Sequence, residues 1–264
     1  MFLIITGAAI GMTLLITALV AFTAGVIWLK RKRDAQRRID LQQLAKDCNL
    51  SFTEKDGYGL VPQLRHLDLF RMSGRRRWSR NGKIYNVMRG HIGETEVFLF
   101  DYSYMVHTGK SAHEVRQTVF FANDKNWYLP NFRLRPETWW HKVMTKIGAM
   151  RDINFPESPD FSSKFWLTGE LEDLIRKQFG ADVQALLKER PPVYLEGNNY
   201  YLIAYKPGKQ LNTDEARTFF EHCSRLTELL KAKEPVELLQ LAELKKEQAP
   251  EPEPLEAPGK KKSL

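Results

Sequence analysis

Six histidines, two cysteines, one carboxylate set between aromatics and one Arg-rich run are the residues of this chain from which chemistry is to be expected. Their spacing decides which chemistry. His66, His91, His107, His113, His141 and His222 are scattered, and the nearest pair, His107 and His113, lies beside Glu114 in a Gly/Ser stretch without the convergent spacing of a metal site. Cys48 and Cys223 offer no ligand pair and read as small buried free thiols of a reducing compartment. No HExxH, CxxC, GxSxG, GxGxxG or phosphate-loop pattern occurs, and Ser162-Ser163 has no elbow glycines around it. Neither a cofactor nor a metal is expected, and no catalytic residue can be assigned. Asp101 stands between Phe100 and Tyr102 on an expected strand. It is either desolvated among those rings or, the commoner fate, exposed or bonded to a neighbouring turn.

The Arg-rich run is Arg75-Arg76-Arg77-Trp78-Ser79-Arg80, with Lys83 close behind. The chain as a whole has 40 Lys+Arg against 32 Asp+Glu, a net +8, but the excess is local. Residues 30–38 hold six basic side chains and one acidic, residues 65–89 hold eight and one, and the remainder is net acidic. Anionic lipid headgroups attract such a loop by about 1 kcal/mol per basic residue near the surface. A merely solvated loop is the plain alternative. Nucleic acid is not the expected partner, because no RNA- or DNA-binding motif accompanies the charge.

The element that brings lipid within reach is at the start of the chain. Phe2 to Leu29 is a run of 28 residues without a charge, about 42 Å of helix against a hydrocarbon core of about 30 Å. The sequence therefore predicts one transmembrane helix over residues 2–29. Lys30, Arg31, Lys32, Arg33, Arg37 and Arg38 follow it and no basic residue precedes it, so the positive-inside bias puts the N-terminus outside and the C-terminal domain in the cytoplasm, with Trp28 at the cytoplasmic interface. A cleaved signal peptide would carry its basic residues before the apolar stretch, not after it. Gly7 and Gly11 form a GxxxG whose face continues through Ala18 and Gly25, a surface on which two helices can approach closely, so a homodimer through the membrane helix is a further expectation.

Residues 30–49 read as a basic juxtamembrane stalk, with Ile39, Leu41, Leu44 and Ala45 at helical spacing and Asn49 placed to end the helix. A cytosolic domain follows over residues 50–233. It is predicted to contain a helix over residues 60–70, a basic loop over 71–83, and strands at 84–92, 96–105, 115–122 and 127–134 that form an antiparallel meander. A helix with Trp139 and Trp140 comes next, then a strand over 161–168, helices over 170–179 and up to Glu189, a hairpin around Gly197-Asn198-Asn199, and a helix from the capping pair Asn212 and Glu215 to about Lys233. Trp139, Trp140, Phe161, Phe165, Tyr200 and Tyr205 are assigned to the core. Residues 234–264 contain five of the 13 prolines and no aromatic residue, a Pro/Glu/Lys-rich disordered tail whose Val236 to Leu244 stretch is amphipathic enough to dock on a partner. The fold class is α+β: an N-terminal transmembrane helix followed by a domain with a mostly antiparallel sheet and several helices.

Asn86-Val87-Met88-Arg89-Gly90, Phe100-Asp101-Tyr102-Ser103-Tyr104, Thr118-Val119-Phe120, Leu129-Pro130-Asn131-Phe132-Arg133-Leu134-Arg135-Pro136-Glu137 and Phe161-Ser162, behind an N-terminal anchor, resemble uncharacterised bacterial single-pass membrane-anchored proteins over residues 50–205. The resemblance implies a bacterial inner-membrane setting and carries no activity. The sequence thus points to a membrane-anchored protein presenting a cytosolic binding or scaffold module to a protein partner it does not name. The competing expectation is a membrane-tethered, hydrolase-like enzyme whose site has no recognisable motif.

Overall fold

In the computed structural model, residues 2–70, 82–108, 111–137, 152–189 and 193–231 are described, with side chains from residue 12 onward apart from 13, 107 and 108. The first element, α1 (Phe2–Asp47), is a single helix of 46 residues. Its apolar half has no helix breaker, and the hydroxyls of Thr17 and Thr23 each donate to a carbonyl one turn back at 2.9 Å, which removes the cost of leaving them bare in an apolar setting. Mean hydropathy over its most apolar window is 1.6 and none of that window is buried, so this helix is long and apolar enough to cross a membrane.

The end of α1 is set by Asn49, whose φ of 55° is left-handed. Leu50 N–H donates to the Ala45 carbonyl at 2.7 Å and Asn49 N–H to Lys46 at 3.1 Å, the two bonds of a Schellman motif. The chain then runs β1 (Ser51–Lys55), α2 (Leu60–Leu64), β2 (Lys83–Ile92), β3 (Thr95–Thr108), β4 (Ser111–Asn123), β5 (Leu129–Pro136), α3 (Pro159–Lys164), β6 (Phe165–Gly169), α4 (Glu172–Gln178), α5 (Ala181–Glu189), β7 (Tyr194–Asn199), β8 (Tyr201–Tyr205) and α6 (Thr213–Lys231). The eight strands form one sheet in the order β1-β2-β3-β4-β8-β7-β5-β6. Every neighbouring pair is antiparallel.

The fold class is α+β, as the sequence predicts, and the expected hairpins β2–β3 and β7–β8 are present. The four-strand meander is not. β4 pairs with β8 instead of β5, and β5 sits between β7 and β6. The reason lies in the segment after β4: Asp124 is buried, accepts from Thr95 Oγ1 at 2.6 Å and from Asn126 N–H at 2.9 Å, and its own N–H donates to Tyr200. That turn carries the chain across the β7–β8 hairpin rather than folding it back. Two other expectations are corrected. The helix predicted over 60–70 stops at Leu64. The strand predicted over 161–168 opens with α3, because Pro159 and Asp160 start a helical turn before β6 begins at Phe165.

Alternation along the strands divides the core in two. Val97, Leu99, Phe120, Ala122, Phe132, Leu134, Leu195 and Leu202 face the larger cluster, shared with Leu41, Leu44 and Ala45 of α1 and with α3 to α6. Phe98, Phe100, Tyr102, Phe121 and Ile203 face the smaller one, shared with Leu60, Leu64, Leu67 and Phe70. The packed unit therefore begins inside α1, several residues before Leu50. Phe161, Phe165 and Tyr205 are buried as assigned, whereas Tyr200, at the tip of β7–β8, is 42% exposed. Trp139, Trp140 and the tail lie outside the described residues.

Candidate functional site

The residues that gather polar chemistry in this fold are those that join α1 to the sheet. Lys30, Asp34, Arg37, Leu41 and Leu44 recur at three- and four-residue steps, which places them on one stripe of the helix. Opposite this stripe, on one face of β4, are Glu114, Arg116 and Thr118, spaced by two as a strand requires. Lys30 Nζ donates to Glu114 at 3.2 Å and Arg116 donates to Asp34 at 2.8 Å and to Glu114 at 3.0 Å. Burial works against ionisation of Glu114, but the hydrogen bonds from Lys30 and Arg116 overcome it and hold its carboxyl below the usual range.

The innermost member of this seam is Asp101. It is 1% exposed and receives both arms of the Arg37 guanidinium, from Nε at 2.8 Å and from Nη2 at 2.7 Å. Asn86 Nδ2 donates to it at 3.0 Å and Thr118 Oγ1 at 3.2 Å. Arg37 spends its remaining nitrogen on the Leu211 carbonyl at 2.6 Å, and Leu211 N–H donates to Thr118 at 3.0 Å. Asn86 reaches this site because β2 has a bulge there, with φ 50° at Asn86 and a register shift between Tyr85 and Met88. Beside the site, burial and then the Asp101 charge push the Tyr85 hydroxyl up to about 12. Asp101 is thus neither exposed nor a turn residue: it fixes the apolar helix to the sheet. Sequence reasoning singled out Asp101 but missed Arg37 as its partner, since nothing local links positions 64 residues apart.

A second buried carboxylate, Glu196, lies on the opposite face of the sheet. It accepts from Tyr205 Oη at 2.8 Å and from Asp68 N–H at 2.6 Å. Burial pushes its carboxyl above the usual range, and these hydrogen bonds offset only part of that rise. Arg133 pairs with Asp68 at 2.7 Å at the rim of the cluster. A cleft of about 290 Å³ opens between α6 and the ends of β7 and β8, lined by Lys206, Asp214, Thr218, Phe219 and His222 among others.

The other residues singled out in the sequence are dispersed. Arg75, Arg76, Arg77, Trp78 and Arg80 lie outside the described residues, while Lys83 is exposed at the first position of β2. Gly7 and Gly11 are helical in α1, and Ala18 and Gly25 lie on its exposed apolar part, with open space around Gly25. Among the described residues no group of three His, Cys, Asp or Glu side chains is placed to hold a metal. Cys48 and Cys223 are free thiols, and burial pushes both upward.

These features define a class: a chain whose N-terminal long apolar helix runs unbroken into an α+β domain and is pinned to its antiparallel sheet by a buried ion pair. No family model matches the chain and no curated protein matches it. Among solved structures, the crystal structure of the mycobacterial trehalose monomycolate transport factor A, TtfA, is similar at 14% identity with a TM-score of 0.45, covering 74% of this chain and 94% of that one.

Proposed function

We propose that the protein is a single-pass bacterial inner-membrane protein, N-terminus outside, that holds a cytosolic binding or scaffold module in a fixed orientation beside the bilayer. The observation that supports this best is the seam. A flexible stalk would let the domain wander, whereas the Arg37–Asp101 pair and the burial of Leu41, Leu44 and Ala45 make helix and sheet one body. The seam uses Lys30, Arg37 and Arg38, the last paired with Glu54, and leaves Arg31, Lys32 and Arg33 exposed for the headgroup layer.

The basic loop is part of the same proposal. Its flanks converge: Phe70 packs on Tyr102 with ring centroids 4.7 Å apart, and Gly82 lies so close to the Tyr102 hydroxyl that no Cβ would fit. Lys83 pairs with Ser103, which pairs with Arg116 beside Asp34 of α1. The described flanks, Phe70 and Lys83, therefore lie at the end of the sheet nearest the apolar helix, which supports a contact of Arg75, Arg76, Arg77, Trp78, Arg80 and Lys83 with anionic lipid.

A pair of C-terminal fusions tests the topology. A fluorescent reporter that lights up with a silent alkaline phosphatase is the expected result, and the reverse overturns it. The cleft beside Lys206 and His222 is the feature that favours a tethered enzyme instead. Turnover of ester or phosphoester substrates by purified full-length protein, abolished in His222→Ala, would establish that reading in place of the module.

A further inference from the structure

β3 and β4 extend well past the rest of the sheet. β2 pairs with β3 only as far as Lys83 opposite Ser103, and β8 pairs with β4 only as far as Tyr205 opposite Val119. Beyond those positions, residues 104–108 and 111–115 pair only with each other among the described strands. Ser111, Ala112, His113 and Glu114 are exposed and Met105 and Val106 half-buried. Tyr104, Val106 and Val115 pack on the smaller core cluster and hold the inner part of this ribbon, while its 111–114 edge stands open.

The direction of this ribbon is fixed by the seam. Going from Lys30 to Arg37, α1 advances about 10 Å, and from Glu114 to Thr118, β4 advances about 13 Å. The contacts run in order: Lys30 with Glu114, Asp34 with Arg116, Arg37 with Thr118 and Asp101. Helix and strand therefore lie side by side and point the same way. Ser111 is about 10 Å further toward the start of the helix than Glu114, level with roughly Gly25 at the same ratio. That is inside the uncharged run, on the apolar side of Trp28 and Leu29.

We infer that the outer end of the β3–β4 hairpin, carrying Met105, Ser111, Ala112 and His113, is a lipid-contacting edge seated in the headgroup layer beside α1. The inference rests on the reading of α1 as a membrane span. Its partner is the phospholipid headgroup and acyl boundary, which suits a mixed edge of small, apolar and weakly polar side chains. Lys30, Asp34, Glu114 and Arg116 set its depth, so the edge cannot lift off without breaking the seam.

The test uses the full chain with Cys48→Ser and Cys223→Ala, carrying an environment-sensitive fluorophore at one introduced cysteine, Ala112→Cys, Leu29→Cys or Lys125→Cys, in liposomes with a shallow spin-labelled lipid. A probe seated at the headgroup and acyl boundary lies at the depth of such a quencher and loses emission to it. The expected result is equal quenching at positions 29 and 112 and none at 125, with Ser111→Cys repeating the result at 112. Quenching at 29 without quenching at 111 or 112 overturns the inference and leaves the span intact. A silent probe at 29 overturns the span and the inference with it. Adding Asp34→Ala and Glu114→Ala is expected to lower quenching at 112 and not at 29. Unchanged quenching at 112 in that variant overturns the role of the seam in setting the depth.

Discussion

Asp101 shows how much one buried charge can decide. At 1% exposure its carboxylate is stable only because Arg37, Asn86 and Thr118 supply donors to both oxygens. Breaking a buried pair by removing one partner costs about 3–5 kcal/mol, while replacing both by apolar groups is often neutral. Arg37 keeps the Leu211 carbonyl and some access to water, so Asp101→Asn is expected to lower stability by about 3 kcal/mol, at the low end of that range. The double change Asp101→Leu with Arg37→Met is expected to recover most of the loss. Urea denaturation of the full chain in micelles, followed by tryptophan emission, checks both. Glu196 makes the opposite case. Burial raises its folded-state pKa, so the folded protein binds the extra proton, and the stability linked to it is whole below the unfolded value of about 4.3 and falls as pH rises from there through the folded value. Glu196→Gln has no such charge to bury. The stability of wild type minus that of the variant is expected to decline from pH 4 upward, and a difference that is flat with pH contradicts the assignment.

At the scale of elements, α1 and α6 are tied to the same strand pair, each by a charge. Arg37 of α1 meets Asp101 of β3, and Lys231, the last residue of α6, meets the buried Asp124 just after β4 at 3.1 Å. α6 starts with a reciprocal cap in which Glu215 N–H donates to Asn212 Oδ1 at 2.9 Å and Asn212 N–H to the Glu215 carboxylate at 3.1 Å. Gly197 serves a different purpose from the one its sequence context indicates. The turn of β7–β8 falls at Asn199, φ 52°, and Tyr200, one step later than the Gly197-Asn198-Asn199 reading. Gly197 lies inside the strand because Phe132 occupies the space of its Cβ. Gly197→Ala is expected to cost about 1–3 kcal/mol through overpacking. Combined with Phe132→Leu it is expected to cost less than the sum of the two single changes, a coupling that a double-mutant cycle in thermal denaturation measures.

For the whole molecule, the seam determines which fragment is a complete unit. A fragment starting at residue 39 lacks Arg37 and leaves Asp101 buried without its cation, whereas one starting at residue 30 keeps the seam. Residues 30–233 are therefore expected to be more stable than 39–233 by about 3 kcal/mol, measured by denaturant titration of the two fragments. The longer fragment also tests the basic loop. If three of its basic residues engage lipid at about 1 kcal/mol each, it will sediment with anionic vesicles at low salt, release as salt is added, and lose binding when Arg75, Arg76, Arg77 and Arg80 are changed to Ser. Equal binding to neutral vesicles would leave the solvated loop in place of the lipid contact.

The long apolar helix, its end at Asn49, the β2–β3 and β7–β8 hairpins and the cap of α6 were legible in the sequence because each depends on residues only a few positions apart. An uncharged run, a positive-φ asparagine, two β-rich runs across a short turn and an Asn-x-x-Glu pair are local facts. What only the tertiary structure decided is long-range. Pairing β4 with β8 rather than with β5 joins Val119 to Tyr205, and a buried turn at Asp124 overrides the local preference for a hairpin. The ion pair of Arg37 with Asp101 likewise depends on α1 docking along β4. Charges at positions 30–38 look alike in a sequence whether they face headgroups or a sheet; packing sorts them, because only one stripe of a helix faces the sheet, and Lys30 and Arg37 fall on it while Arg31, Lys32 and Arg33 do not.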